Sequence, residues 1–434
     1  GKTKSKKIVK LTALAGAVLS VVGTAQAAVE VSSSSITIKS DNPAADHATK
    51  GIDNVNIGTG ANTFRDDGNN VVSHDAIAIG TNATGTGDKA VAIGKNASAT
   101  KENGIAIGFD ATNQSIDSVA IGREATSSKD MDVAIGKKAA ASGGESLAFG
   151  SSSKASGEAT VAVGKSSNAS GSSAVAAGYD STAAGDNAVA VGNKASASQV
   201  NDIAVGLRAS ATGGRSIATG TAANASGAYS IATGFTAAAS GTESIAVGSK
   251  SSATNQDSTA IGVAATSTGN FALAMGSGAN SAAYGSISTG LNSKATKNGA
   301  IATGTLANAS EVGSVDIGSN AQAKHENSVA LGTGSVTDDK HPFANLEVAG
   351  KNYNFAGTKL DGVVSIGTKD KERQIQNVGA GRISSTSTDA VNGSQLYAVA
   401  DAVSNHHWVI GGKTTAQNTG APQVSNHSDV KNND

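Results

Sequence analysis

A glycine recurs at every fourteenth residue from Gly80 to Gly332, nineteen times without a gap. The residues before it are nearly constant, from Ile77-Ala78-Ile79 in the first copy to Val329-Ala330-Leu331 in the last. A strict period of this kind is typical of repeat proteins, in which each unit packs only on its neighbours. We therefore expect an extended scaffold whose turns are set by these glycines, among them Gly80, Gly94, Gly108, Gly192 and Gly332.

The three residues before each glycine predict a short strand. Counted from the glycine, position −3 is aliphatic in 18 of 19 copies, position −2 is alanine in 17 of 19, and position −1 is usually Ile or Val. β-Branched residues in such a run favour a strand. Because strand side chains alternate, positions −3 and −1 share one face and the alanine takes the other. Both faces are apolar, so one should cover the protomer's own narrow core and the other should need a partner.

The second half of each repeat predicts another strand. Positions +3 and +5 are mostly Ala or Ser, and position +4 is polar in 16 of 18 copies. This alternation predicts small side chains inward and polar ones in water, and a glycine at +7 in half of the copies eases the turn back. The sequence thus predicts an all-β fold, a parallel β-roll or solenoid of 14-residue coils. Eighteen steps of strand spacing make it on the order of 85 Å long.

Composition limits what the chain can build. Aromatic residues are 3% of the sequence and glycines number 54, so the core must be thin. Disorder is the alternative for a chain rich in Gly and Ser, but the aliphatic residues are periodic and prolines number only 3. Cysteine is absent, and a secreted protein without disulfides needs another source of stability, such as oligomerisation.

The N-terminus has the pattern of a secretory signal. Five lysines precede the apolar run Leu11–Val22, and Ala25-Gln26-Ala27 follows as a small-x-small cleavage site. The run is too short to span a membrane. Cleavage would remove five lysines and no acid, taking the net charge from −1 to −6. An acidic mature chain gives no electrostatic case for binding nucleic acid. The first residue is not Met, which suggests a piece of a longer protein.

The phasing breaks after Gly332. An aromatic-rich segment holds Phe343, Tyr353 and Phe355, and residues 363–367 then restore a coil-like strand, so the segment is interpreted as an insertion in the last coil. Further on, Ser387 or Thr388 is predicted to cap a helix that begins near Asp389.

That predicted helix carries a short coiled-coil pattern. Leu396, Val399, Val403 and His406 follow one another at steps of three, four and three residues. The pattern covers barely a heptad and a half, so the helix must be supported by neighbours.

These motifs identify a family. The unit Val-Ala-Ile-Gly-x-x-Ala-x-Ala-x-Gly resembles the head repeats of trimeric autotransporter adhesins, the YadA-like family. Residues 363–367 are similar to the family's last head coil, and residues 373–381 and 388–396 resemble its neck. The neck residues implied by this resemblance are Arg373, Gln374, Ile375, Val378, Asp389, Val391 and Leu396.

The resemblance implies more than the residues alone predict. Family heads are left-handed parallel β-rolls of three chains side by side, and necks narrow the head into a coiled-coil stalk. The family implies export to the surface of Gram-negative bacteria, with an outer-membrane anchor that this sequence does not include. The expected domains are a signal peptide (1–27), an N-terminal cap (28–72), the head (73–334), the insertion and last head coil (335–370), the neck (371–395), a short coiled coil (396–407) and the start of a further module (408–434).

A search for chemistry finds little. His406-His407 is the best candidate for a metal or pH-sensing ring in a trimer, with stacked or solvated histidines as the plainer interpretation. Residues 411–414, Gly-Gly-Lys-Thr, end like a phosphate-binding loop, but His407 stands where that motif needs glycine. No Gly-x-Ser-x-Gly elbow occurs. We therefore predict no catalytic residue, no cofactor and no metal site.

Two surface features have plain interpretations. Threonine replaces Ile or Val at −1 in four copies, namely Thr219, Thr233, Thr289 and Thr303. These threonines are interpreted either as variation in packing or as ladders that bind a flat surface. Basic loop residues serve solubility or form a weakly basic adhesive stripe; these are Lys137, Lys138, Lys154, Lys194 and Arg208.

The sequence therefore predicts a homotrimeric cell-surface adhesin and no enzyme. Its partners would be molecules of the extracellular matrix, of host cells or of neighbouring bacteria, bound weakly at many sites at once. A passive spacer or biofilm-forming rod is one alternative. An enzyme on a β-helix is another, but the repeat lacks the clustered carboxylate, Arg or His residues that such enzymes use.

Overall fold

The computed structural model of the protein describes residues 27–31, 36–40, 54–63 and 73–404. The predicted signal peptide up to residue 26, most of the predicted cap, His406-His407 and the last module lie outside these residues. The chain divides into two units. The first holds the repeats and resumes over Asp361–Glu372, and the second holds His341–Leu360 and the chain from Arg373 onward.

Each coil of the first unit contributes two short parallel strands. A three-residue strand ends just before the phased glycine, and a two-residue strand starts four residues after it. Strands of each kind pair in parallel with the strands fourteen residues earlier and later, as Ile203 does with Val189 and Ile217. This confirms the predicted all-β parallel solenoid. We call the ladder of three-residue strands sheet I and the ladder of two-residue strands sheet II.

The strands of sheet I are Val55–Ile57, Ile77–Ile79, Val91–Ile93, Ile105–Ile107, Val119–Ile121, Val133–Ile135, Leu147–Phe149, Val161–Val163, Val175–Ala177, Val189–Val191, Ile203–Val205, Ile217–Thr219, Ile231–Thr233, Ile245–Val247, Thr259–Ile261, Leu273–Met275, Ile287–Thr289, Ile301–Thr303, Val315–Ile317, Val329–Leu331 and Val364–Ser365. The strands of sheet II are Thr84–Gly85, Ser98–Ala99, Thr112–Asn113, Thr126–Ser127, Ala140–Ala141, Lys154–Ala155, Asn168–Ala169, Thr182–Ala183, Ser196–Ala197, Ser210–Ala211, Asn224–Ala225, Ala238–Ala239, Ser252–Ala253, Thr266–Ser267, Asn280–Ser281, Lys294–Ala295 and Asn308–Ala309.

Sheet I extends past the strict repeat at both ends. Val55–Ile57 pairs in parallel with Ile77–Ile79, although 22 residues separate the paired positions. Val364 pairs with Val329 across the intervening insertion. At the N-terminal side, Ala27–Val31 pairs antiparallel with Ile36–Ser40.

Small side chains fill the space between the two sheets. Ala204 at −2 of sheet I and Ala209 and Ala211 at +3 and +5 around sheet II are all fully buried, and the same positions are buried along the ladder. The sheets lie so close that a methyl group suffices between them. The predicted inward direction of the side chains at +3 and +5 is confirmed. The sequence did not decide which face of sheet I covers the core of the chain. In the structure the alanine at −2 points inward, and the aliphatic residues at −3 and −1 point outward.

The phased glycine meets two requirements at once. Gly192 has φ +133°, a left-handed value that other residues rarely adopt, and a Cβ there would lie 2.4 Å from the carbonyl oxygen of Gly206. The neighbouring glycines stack in the same way. Backbone conformation and the close approach of successive coils therefore both exclude a side chain at this position.

Each coil also has two other left-handed positions, at +2 and +9, which the sequence analysis missed. Lys194, Asn201 and Arg208 have φ between 55° and 59° and show the resulting spacing of seven residues. Asn, Asp and Gly are frequent at these positions, but Thr236 and Phe271 also occupy them. A side chain in this conformation costs roughly 1–2 kcal/mol.

The second unit contains a hairpin and a helix. Strands Asn345–Val348 and Lys351–Asn354 pair antiparallel around Ala349-Gly350, both with positive φ, as a tight two-residue turn requires. Helix α1 spans Gly393–Ser404. Within the described residues, no helix is both long and apolar enough to cross a membrane.

The predicted start of the helix near Asp389 is wrong. Asn392 is the cap: its Oδ1 accepts a hydrogen bond from the Gln395 N–H at 3.2 Å, and the Gln395 Oε1 accepts one from the Asn392 N–H at 3.2 Å. This reciprocal pair is a capping box. Asp389 is bound to Arg382 instead, and Ser387 only accepts the Asp389 N–H.

Candidate functional site: the exposed faces of the repeat and the neck

The outward face of sheet I is aliphatic and, in a single chain, only half covered. Ile203 and Val205 flank the buried Ala204, and Val205 is 37% exposed. The same alternation of a buried residue between two partly exposed ones recurs along the repeat, and most of the partly exposed residues are aliphatic. Soluble monomers rarely expose continuous apolar patches of more than a few hundred Å². This surface, which we call the aliphatic face, therefore has the character of an interface.

The outward face of sheet II is polar. Position +4 carries mostly Ser, Thr and Asn, as at Ser196, Ser210 and Asn224. Lys154 is exposed on this face, whereas Lys137, Lys138, Lys194 and Arg208 lie in the turn after the phased glycine. The structure thus separates the predicted basic stripe into two places.

The four threonines at −1 lie on the aliphatic face as two adjacent pairs. Thr219 pairs with Thr233, and Thr289 pairs with Thr303. Each pair is bordered by aliphatic residues of neighbouring coils, so these threonines interrupt the face and do not form a continuous ladder.

The neck residues inferred by resemblance lie in the second unit, and most are exposed. The exposed fractions of Ile375, Val391 and Leu396 are 71%, 58% and 66%. Arg373 and Gln374 are also exposed, and Val378 is half-buried. Val399 and Val403 continue the exposed apolar stripe along α1. The neck therefore presents apolar side chains that the single chain does not cover.

Hydrogen bonds fold the neck loop onto the start of α1. The Gln395 side chain accepts from Gly381 N–H at 3.0 Å and donates to Gly381 O at 2.6 Å. The Asn392 amide donates to Val378 O at 3.0 Å. These two residues position the loop, and the sequence analysis missed both, although Asn-x-x-Gln is a recognisable cap pattern.

An ion pair closes the same loop. Arg382 Nε lies 2.9 Å from Asp389 Oδ2, and the Arg382 N–H donates to the same oxygen at 3.1 Å. These hydrogen bonds, from the guanidinium first and the backbone second, lower the pKa of Asp389. The implied role of Asp389 in the neck thus has a specific contact within the chain.

Two buried aspartates fasten neighbouring coils together. Asp202 Oδ2 accepts from Gln199 N–H at 2.8 Å, and its Oδ1 accepts from Gly214 N–H at 3.0 Å and from the Ser216 hydroxyl at 2.8 Å. Asp132 makes the equivalent bonds to Lys129, Gly144 and Ser146. Both carboxylates are fully buried, and their oxygens accept hydrogen bonds within the chain. This indicates a structural role for the two residues.

Asp316 differs from these two. It replaces the inward alanine of sheet I, is fully buried, and accepts from Ala323 N–H at 2.6 Å through Oδ1. Its Oδ2 has no hydrogen-bond partner. Burial raises the pKa of Asp316 to about 6.

Two of the described histidines each lie beside a carboxylate. His325 Nε2 lies 2.9 Å from Asp339 Oδ1, and His74 Nδ1 lies 3.7 Å from Asp88 Oδ1. Among the residues that the structure describes, no three His, Cys, Asp or Glu side chains are grouped so that they could hold a metal ion.

Two family models match the chain, and together they cover more than half of it. The YadA head domain repeat matches in eleven segments between residues 86 and 335, and the seven segments within 169–279 overlap one another. The coiled stalk of trimeric autotransporter adhesin matches residues 374–419.

Two curated proteins are similar over short stretches. Autotransporter adhesin BtaE of Brucella suis biovar 1 (strain 1330) is 51% identical over 72 residues, 17% of this chain and 10% of that protein. Trimeric autotransporter adhesin AtaA of Acinetobacter sp. (strain Tol 5) is 57% identical over 53 residues, 12% of this chain and 1% of that protein. The chain thus spans a tenth or less of these relatives.

Two solved structures also match. The C-terminal YadA-like domain of a Burkholderia pseudomallei protein is 46% identical, with 22% of this chain and 45% of that chain covered and a TM-score of 0.21. The collagen-binding domain of the Yersinia adhesin YadA is 23% identical, with 61% and 86% covered and a TM-score of 0.18. From the two family models and the repeat itself, the chain belongs to the trimeric autotransporter adhesins and comprises YadA-like head repeats followed by a coiled-stalk segment.

Proposed function

We propose that the chain is the head and neck of a homotrimer at a bacterial cell surface. The aliphatic faces of three copies meet around a common axis, and the polar faces of sheet II are turned outward. The head attaches to molecules of the extracellular matrix, of host cells or of neighbouring bacteria. Many weak contacts, repeated over three chains and many fibres, add up to firm attachment.

The aliphatic face is the observation that carries this proposal. Full burial of a Val, Leu or Ile side chain contributes roughly 1.5–3 kcal/mol. Association of proteins costs about 4–15 kcal/mol in lost freedom of motion. The face offers two mostly aliphatic side chains in each of nineteen coils, so partial burial already exceeds that cost.

The neck supports the same assembly. Leu396, Val399 and Val403 are exposed along α1 at the spacing of a coiled-coil seam, and three such helices would cover one another. We place the head at 73–334, its insertion and last coil at 335–370, the neck at 371–395 and the coiled coil at 396–407. Val55–Ile57 extends sheet I before the head, as a cap would.

The proposed route to the surface is export by the N-terminal signal, with attachment to the outer membrane through a segment other than the described residues. Binding without catalysis is the activity that the family and the solenoid favour. The buried carboxylates Asp132 and Asp202 are occupied by hydrogen bonds within the coil, so they support structure.

The test compares two faces of the same coils. Purified head and neck is applied to arrays of glycans and matrix proteins, beside the double variants Ile203→Glu/Ile217→Glu and Ser210→Glu/Asn224→Glu. We expect the first variant to become monomeric and to lose retention, and the second to remain trimeric. Equal retention of monomer and trimer would contradict multivalent binding. Cell clumping without any array ligand would instead indicate a self-associating rod.

A further inference from the structure

The two turns of each coil form two long edges of the solenoid. Edge A comprises the residues one and two positions after each phased glycine, from Thr81-Asn82 to Thr333-Gly334. Edge B comprises the residues eight and nine positions after it, up to Glu326-Asn327, together with His74-Asp75 before the first glycine. Sheets I and II lie between the two edges.

The two edges carry opposite charge. Edge A has three acidic residues, Asp110, Glu124 and Asp180, and eight basic ones, Lys95, Arg123, Lys137, Lys138, Lys165, Lys194, Arg208 and Lys250. Edge B has two basic residues, Lys89 and Arg215, and eleven acidic ones, Asp75, Asp88, Glu102, Asp117, Asp130, Glu145, Glu158, Asp186, Glu243, Asp257 and Glu326. Lys101, Lys129 and Lys297 lie one residue before edge B. Lys129 Nζ there is 3.4 Å from Gly143 O.

Several charged side chains on both edges contact their neighbours. On edge A, the Phe109 ring lies between Lys95 and Arg123, at 5.9 and 5.7 Å from its centroid, as stacked cations require. The acidic exception Glu124 is paired with Arg123 at 2.8 Å and with Lys138 at 3.3 Å. Edge A is therefore predominantly basic, and this part of it is ordered by contacts between neighbouring coils.

On edge B, carboxylates cap the preceding coil. Asp130 Oδ1 accepts from Ile116 N–H at 3.1 Å, and Asp186 Oδ1 accepts from Ser172 N–H at 2.9 Å. Hydrogen bonds from the Ser115 hydroxyl and the Ile116 N–H lower the pKa of Asp130, so this carboxylate is charged at neutral pH. One oxygen of each group is fixed, and the negative charge stays at the surface.

Further along the chain, the edges become apolar together. Edge A exposes Leu207, Phe235, Val263, Leu291 and Leu306. Edge B exposes Val200, Tyr229, Phe271, Tyr284 and Val312. All ten side chains are between 43% and 60% exposed, and both sets lie between residues 200 and 312. Among the described residues before position 200, edge A exposes only Phe109 and Tyr179 as large apolar side chains, and edge B only Ile116 and Met131. Apolar residues therefore become more frequent on both edges along the same part of the solenoid.

A three-fold assembly brings these edges together. Rotation about the axis relates the copies, so coils of the same number lie at the same level. If the three aliphatic faces point to the axis, one edge of each copy lies beside the opposite edge of the next. Such a contact is heterologous and closes after three copies.

Resting on the proposed trimer, we propose that edge A of each copy binds edge B of the next. Pairs of basic and acidic residues dominate this contact in the N-terminal half of the head, and packing of apolar residues contributes more in the C-terminal half. The occupant of each edge is a second copy of this chain. Opposite charges make the contact directional, because edge A against edge A would place like charges together.

The experiment uses engineered cysteines, since the natural sequence has none. Lys138→Cys on edge A is combined in turn with Met131→Cys, Glu145→Cys and Ala159→Cys, three successive levels of edge B. Within one chain these positions are across sheet I or sheet II from Lys138, on the order of 15 Å or more apart. A disulfide needs Cα atoms within about 7 Å, so bonding inside one chain is excluded.

After oxidation of the full chain, at least one pair should give covalent trimers as the dominant species on a denaturing gel. Each single-cysteine variant should run as a monomer. Dimers from Lys138→Cys alone, or no cross-link from any pair while sedimentation still shows trimers, would overturn the edge contact and leave the proposed function intact. A monomeric unmodified chain would overturn the proposed trimer itself.

Discussion

The two sheets of one coil have similar backbones and opposite surroundings. Sheet I turns alanine inward and leaves Ile, Val and Leu outside, whereas sheet II turns alanine or serine inward and leaves Ser, Thr and Asn outside. Parallel hydrogen bonds and small buried side chains are common to both, so they hold the single chain together. In the proposed trimer, the large apolar side chains serve association instead. On this proposal, folding and assembly depend on different residues of the same strand.

The largest expected effect comes from placing a charged side chain at an inward position of sheet I. Ala204→Lys places a charge between the sheets, where no partner is available, so we expect local unfolding with a loss of more than about 4 kcal/mol. Hydrogen exchange of the amides in the coils around Ala204 measures it. Ser210→Lys, at an outward position of sheet II in the same coil, is the control and should exchange like the natural chain. Equal protection in both would show that the inward face is wrongly assigned.

The second largest effect should come from removing the buried Asp202 carboxylate, which links neighbouring coils. Asp202→Ala removes the acceptor for Gln199, Gly214 and Ser216 and leaves buried donors without partners, so we expect a loss of about 3 kcal/mol. Asp132→Ala should have the same effect in its own coils, and Glu158→Ala, at an exposed position with ordinary backbone conformation, should have none. Hydrogen exchange at Gly214 and Ser216 measures the change, and unaltered protection there would contradict the role of the carboxylate.

Asp316 lies on the inward face of sheet I, so its burial predicts that stability depends on pH. The unfolded carboxyl titrates near 3.8 and the folded one near 6, so ionisation is unfavourable in the fold. This group costs no stability below about pH 3.8, and its cost grows as pH rises through 6, reaching about 3 kcal/mol. Protection of the coils near Ala323 should thus increase from pH 7 to pH 4. In Asp316→Ala that pH dependence should disappear; if it persists, another group causes it.

The smallest effect should come from the edges. Thr236 is β-branched and has φ 51°, so Thr236→Asn should stabilise its coil by about 1 kcal/mol. Asn292 holds the corresponding position with the same φ, and Asn292→Thr should cost a similar amount. Local hydrogen exchange of the two variants should shift in opposite directions. A shift of the same sign in both would contradict strain at this position.

Much of this fold could be predicted from the sequence, because the period of fourteen residues fixes strands, glycines and register together. Which face of sheet I points inward could not be predicted, because Ala204 and Ile203 are both apolar. Alternation places them on opposite faces but does not say which face is buried. The left-handed positions were missed because Thr236 and Phe271 obscure the Asn and Gly signal. The helix start was missed because Gly393 follows the cap, where a stronger helix former is expected.

The central claim is that the aliphatic face is covered by other copies of the chain. Sedimentation equilibrium of residues 28–407 tests it most directly, because the mass of the particle does not depend on its shape. We predict three chains in each particle, without detectable monomer. A stable, monodisperse monomer would contradict the account, because its aliphatic face would then be left in water along the whole head.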